Sequence, residues 1–159
     1  MRMPLAISLI AGVVLAGLLT LLLPPVRLAL LRSPAVQPVV MQTLGNYTDT
    51  DSHAKYFFYL VRLHQYAEAR SLLSPRAKAS LSAPALQAQW AAFESVHGRV
   101  MHWTEAGGTT NLLPTYVDRR YQVSGSHGGS ALVTLRLTRP AGSPDDIRSW
   151  QVDALTLAR

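Results

Sequence analysis

Between Arg2 and Arg27 the chain carries 24 consecutive residues without a charge, most of them Leu, Val, Ile and Ala. No other stretch limits the possible folds as strongly. At about 1.5 Å rise per residue, roughly 20 apolar residues match a hydrocarbon core of about 30 Å, and 4–23 supplies that length. The sequence therefore predicts a signal-anchor helix over 1–26 that crosses a membrane once, with the lipid bilayer as the partner of 4–23. A cleaved signal peptide has a shorter apolar core, about 7–15 residues, closed by a small-x-small site. Here the run ends in Leu21-Leu22-Leu23-Pro24-Pro25, and no Ala-x-Ala follows. Arg2 on one flank nearly balances Arg27 and Arg32 on the other, and long domains translocate largely regardless of charge. The expected location is thus a bacterial cell membrane, single-pass, with the folded part extracytoplasmic. Gly12, Ala16 and Thr20 recur every four residues, a small-residue stripe of the kind that lets membrane helices approach, although small residues are common in such helices; the expected partner is another protein or a second copy of this chain.

The formal charge of +6 raises the question of nucleic acid. Setting aside the three arginines beside the apolar run leaves 12 basic against 9 acidic residues. That balance, without a basic run interleaved with aromatics, gives no footprint for tracking phosphates, and no nucleic-acid partner is expected. The chain has no cysteine, which excludes disulfides, thiolate metal ligands and a cysteine nucleophile.

Residues 24–50 carry four prolines (Pro24, Pro25, Pro34, Pro38) and no strong helical period, and 27–50 is read as a Pro-containing linker. Folded structure is expected over 51–159. The cluster Thr48-Asp49-Thr50-Asp51-Ser52 offers short polar side chains that can cap a following helix, and Tyr56, Phe57, Leu60 and Leu63 give that helix an apolar face. A second, short helix is expected over 66–73. Ser74-Pro75 and Ser82-Ala83-Pro84 are two further helix starts, since Ser can cap and Pro is tolerated in the first turn. The last of these helices aligns Leu86, Trp90, Phe93 and His97 and stops at Gly98.

Beyond Gly98 the period changes to two. Strands are expected over 99–105, ended by Gly107-Gly108, and over 115–124 with Val117, Tyr121 and Val123 on one side. Ser124-Gly125-Ser126-His127-Gly128-Gly129 reads as a hairpin turn, and Ala131, Val133, Leu135 and Leu137 then alternate with polar residues. A final strand is expected over 149–158. Helices followed by a meander of about four strands make an α+β domain.

This order resembles the nuclear-transport-factor-2-like superfamily, a cystatin-like cone, and in particular its small bacterial families of uncharacterised domains. The resemblance rests on Tyr66-Ala67-Glu68-Ala69, Leu72-Leu73-Ser74-Pro75 with Lys78 and Leu81, then Leu86, Trp90, Phe93, Gly98 and the closing Trp150-Gln151-Val152-Asp153-Ala154-Leu155. It spans 52–158 and implies about three helices packed on a curved antiparallel sheet. These positions are hydrophobic and structural, so the resemblance implies a fold and little chemistry.

Enzymes of that superfamily use His, Asp or Tyr groups inside the cone, and none of the candidates here assembles a catalytic set. Asp118 sits in a strand whose buried side is marked by Val117 and Val123, which makes it a solvated residue beside Arg119. His97 lies at a helix end where a cation is favoured, and with His102 it has no third ligand at metal spacing. No metal, cofactor or catalytic residue is therefore expected. Trp90, Phe93, Trp103, Tyr121 and His97 are the candidates for lining a pocket for a small apolar ligand, if they do not simply fill the core. The function expected from the sequence is a membrane-anchored, non-enzymatic protein-interaction or scaffold module of a bacterial envelope. The alternatives are an apolar-ligand-binding domain and, behind it, a hydrolase or isomerase of the same fold.

Overall fold

The computed structural model describes residues 24–37, 39–40, 49–110, 116–140 and 149–158. Its organising element is a helix with no exposed side. Residues 50–61 are all buried within α2 (Asp49–Arg62), which carries Tyr56, Phe57, Phe58, Tyr59, Leu60 and Val61 in succession. A helix that is apolar around most of its circumference must be enclosed. The enclosing parts are a short helix α1 (Pro24–Arg32), the small helices α3 (Tyr66–Ser71) and α4 (Pro75–Ser80), the long helix α5 (Ala83–His97), and a four-stranded sheet.

The sheet is an antiparallel meander in the order β1 (Val100–Thr110), β2 (Tyr116–Gly125), β3 (Ser130–Thr138), β4 (Gln151–Leu157). Tyr121 faces Val133 and Val117 faces Leu137 across β2 and β3. These residues, with Val123, Leu135 and Val152, form the buried face against the helices. The period-two reading of β2 and β3 is thus realised residue by residue. So is the hairpin, where Gly128 takes φ +82° between β2 and β3.

The expected break at Gly107-Gly108 is instead a continuation of β1. The register shifts by one residue between Glu105 and Gly107, and Gly107 takes φ +106°. Glycine tolerates that conformation without a Cβ clash, so the strand bulges and goes on rather than ending.

Both serine-proline starts work as read. Ser74 Oγ accepts the N–H of Ala77 at 3.1 Å, and Ser82 Oγ accepts that of Ala85 at 3.2 Å. Ser74 does more than cap. Its hydroxyl donates to Asp153 Oδ1 at 2.7 Å, and its backbone N–H bonds the Val152 carbonyl at 2.8 Å, while the Val152 N–H bonds Leu72 at 2.9 Å. The 72–74 segment thereby runs parallel to the start of β4. Arg76 completes the junction through its guanidinium on Asp153.

The segment read as a proline-containing linker carries structure of its own in its described part. Arg32 in α1 holds Glu68 by two nitrogens at 3.0 and 2.8 Å. Leu30 and Val36 pack on the core, and Val40 is buried within it. The Thr48–Ser52 cluster also differs from its reading: Thr50, Asp51 and Ser52 are buried inside the helical region.

One expectation is corrected outright. Among the described residues no helix is long and apolar enough to cross a membrane. The helix nearest the apolar run, α1, has 9 residues, about 14 Å at the rise of an α-helix and less than half of a hydrocarbon core. The run over 1–23 lies outside the described residues. The transmembrane helix in the expected fold class, and the single-pass membrane location built on it, have no counterpart among the described residues.

The two caps differ in what they hold, and the difference is measurable. In urea unfolding, Ser82→Ala is expected to lose about 1 kcal/mol, the usual worth of a cap. Ser74→Ala is expected to lose about 2 kcal/mol, because a part-buried carboxylate contact goes with it. Equal losses would show that the Ser74–Asp153 contact contributes nothing.

Candidate ligand groove

Helix α5 buries Leu86, Trp90 and Phe93, but its last two turns reach the end of the sheet without covering it. Leu155 and Leu157 stand opposite Leu135 and Val133 and so share the inner face of the sheet, yet both remain partly exposed. Between them and α5 lies a groove of about 690 Å³. Ala92, Phe93, Val96 and His97 form its helical wall, Ala131, Leu155 and Leu157 its floor, and Gln89 and Ser95 add polar groups. Val96 is 68 % exposed. From Gln89 to His97 the helical wall runs about 12 Å.

His97 closes one end. Its ring lies 4.8 Å from that of Phe93, and its backbone carbonyl accepts the N–H of His127 at 2.9 Å. The chain leaves α5 through Gly98 at φ +77°, where a Cβ would run into Ser126 and His127. A Cβ on Gly129 would strike His97 Nδ1. These glycines let the hairpin turn close on the helix end and fix the imidazole at the mouth of the groove. Among the described residues its ring nitrogens have no hydrogen-bond partner, and it is the only titratable side chain lining the groove.

The five residues grouped by the sequence divide between two places. Phe93 and His97 line the groove. Trp90, Trp103 and Tyr121 surround Phe58 of α2, at centroid distances of 6.1, 5.9 and 5.1 Å. Trp90 and Tyr121 are fully buried there, and Trp103 is capped by the Arg62 guanidinium at 5.6 Å from its ring centre. These edge-on and tilted contacts are those of a packed aromatic interior. The Trp90 Nε1 is buried with no partner among the described residues.

A charged cluster that the sequence did not announce lies beside that interior. Tyr121 Oη donates to Asp51 Oδ1 at 2.8 Å, and Lys55 Nζ stands 3.0 Å from Asp51 Oδ2. Burial, reinforced by the Asp51 carboxylate, pushes the Tyr121 phenol far above its usual range. Next to it Arg119 reaches Glu105 at 2.7 Å and Thr50 at 2.9 Å. One signal was present. The alternation that buries Val117, Tyr121 and Val123 puts Arg119 on the same side, and a helical period puts Asp51 and Lys55 one turn apart.

Asp118 points to the opposite side of the sheet, as the alternation requires, and its partner is Arg136 on the neighbouring strand. The contacts are 2.8 and 2.9 Å, fork to fork. Among the described residues no group of three His, Cys, Asp or Glu could hold a metal ion. In comparisons with protein-family models, with curated proteins and with solved structures, the chain finds no match. What the protein does has to be argued from the groove and the cluster.

The outer-face carboxylates make stability depend on acid. The Arg136 hydrogen bond holds Asp118 below its ordinary value of 3.8. For Asp153 burial pushes upward, but Ser74 and Arg76 together outweigh it and leave that carboxyl lowered as well. A carboxyl lowered by folding binds fewer protons folded than unfolded, so its contribution is present above the ordinary carboxyl range and is lost as pH falls through the lower folded values. Urea midpoints are therefore expected to fall as pH drops below about 4. Asp118→Asn with Asp153→Asn should flatten that slope, and an unchanged slope would refute the assignment.

Proposed function

We propose that this domain is a non-enzymatic binding module that holds a small apolar ligand in the groove between α5 and β4. One observation supports the reading: a concave apolar site of about 690 Å³ with a single titratable side chain at its end. Small-molecule sites have volumes of about 300–1,000 Å³, largely apolar walls and few polar groups. Acid–base catalysis needs at least one more positioned group within reach of the reacting atom, and the lining residues offer only His97. The fold itself we read as a nuclear-transport-factor-2-like cone, on the strength of helices preceding a four-stranded antiparallel meander.

A second reading, a protein-interaction or scaffold module, is favoured by the edge of the sheet. Among the described residues strand β4 ends the sheet, and the 72–74 segment pairs with it only at Val152. An open strand edge beside an apolar groove is a template for an added strand.

Titration of the full chain with the fluorescent apolar probe anilinonaphthalene sulfonate separates the two. Saturable one-to-one binding that weakens about tenfold or more in Ala92→Glu and in Val96→Asp is expected for a ligand groove. Both sites are on the exposed part of α5, so these charges change the groove and not the core. Binding that is unaffected by either substitution would count against the groove. Concentration-dependent dimers in light scattering, together with no probe binding, would favour the interaction module.

A further inference from the structure

We infer that the groove is built for a single-headed amphiphile, an apolar tail lying along α5 and β4 with a carboxylate head at His97. The inference rests on the groove being the binding site and specifies what fills it. The walls provided by Ala92, Phe93, Val96, Leu155 and Leu157 can offer a ligand only apolar contact, which runs about 6 Å along the helix from Ala92 to Val96, with Gln89 about one turn further on. At its end the imidazole of His97 has no hydrogen-bond partner among the described residues. It sits at the C-terminus of α5, and the carbonyl end of a helix attracts a cation. This half-buried imidazole beside Phe93 can donate to a ligand group that accepts its hydrogen bond, and a charged acceptor binds about twice as strongly as a neutral one.

The charge count selects the head group. Among the described residues no Lys or Arg lines the groove, and recognition of a doubly charged phosphate ordinarily calls on such residues. One imidazole N–H donor matches one carboxylate. The other charged and titratable groups around His97 are Glu94, one turn earlier in α5 and engaged by His64 at 3.1 Å, Arg99 leading into β1, and His127 in the hairpin turn. Among the described residues, Leu155 and Leu157 of β4 and Ala158 just beyond it line the groove with His97.

The test is calorimetric titration of the full chain with decanoate and with 1-decanol at pH 7. Decanoate is expected to bind about tenfold more tightly than decanol, the scale of one charge-assisted hydrogen bond. His97→Leu should remove that preference and leave decanol binding in place, whereas Val96→Asp should weaken both. If decanol and decanoate bind alike, the head-group assignment falls and the apolar groove stands. If neither binds, or if both bind undiminished in Val96→Asp, the groove itself is not the site and the inference falls with it.

Discussion

A carboxylate at 1 % exposure sets the position of the central helix. Asp51 is enclosed with Tyr121 Oη on one oxygen and Lys55 Nζ near the other. Burying a charge costs several kcal/mol unless its partners are in place, and removing one partner from such a pair typically costs about 3–5 kcal/mol. The pairing therefore fixes how α2 is rotated and how far along the sheet it sits. With Asp51 on Tyr121, the helical period carries Lys55, Phe58 and Arg62 onto the same side. Phe58 then meets Trp90, Trp103 and Tyr121, and Arg62 lies over Trp103. One polar contact thus aligns the aromatic interior. The adjoining set of Arg119, Glu105 and Thr50 ties the same end of α2 to β1 and β2.

The groove is the consequence of where coverage by the helices stops. Strand β4 is held at its start by Ser74, Arg76 and the 72–74 backbone, all of which converge on Val152 and on Asp153, the extra residue at the register shift. At the other end of the sheet, α5 is stopped by Gly98 and by the hairpin turn packed against His97. Between these two fixed points the inner face of β4 has Leu155 and Leu157 with, among the described residues, no helix directly over them. The apolar surface left there has a defined length and a rigid helical wall, with His97 at one end and Gln89 at the other, which is what separates it from a scattered exposed leucine.

Much of this architecture follows from local signals, and the failures have a common cause. Ser74 and Ser82 were legible as caps because capping is a contact within four residues. The β2–β3 hairpin was legible because its glycines and its alternation are also local. Gly107-Gly108 was misleading, since a glycine pair marks a turn and a bulge equally well and only the partner strand decides between them. Thr50 and Asp51 looked like cap residues, yet their partners Arg119 and Tyr121 lie some 70 positions away. The membrane-spanning expectation came from hydropathy alone, and the nearest described helix is too short to support it. For the site, the stripe of Phe93 and His97 was visible, but the floor of Leu155 and Leu157 depends on how far α5 extends over β4, which no periodicity contains.

The central claim is that Asp51 and Tyr121 act together to seat α2. The most direct measurement is a double-mutant cycle in urea unfolding, with Asp51→Ala, Tyr121→Phe and the pair. The expected losses are about 3–5 kcal/mol for Asp51→Ala and about 1–3 kcal/mol for Tyr121→Phe. The double variant should lose at least about 1 kcal/mol less than the two combined, because contacting residues couple. Losses that add to within about 0.5 kcal/mol, or single losses no larger than that, would show that the buried contact does not hold the helix.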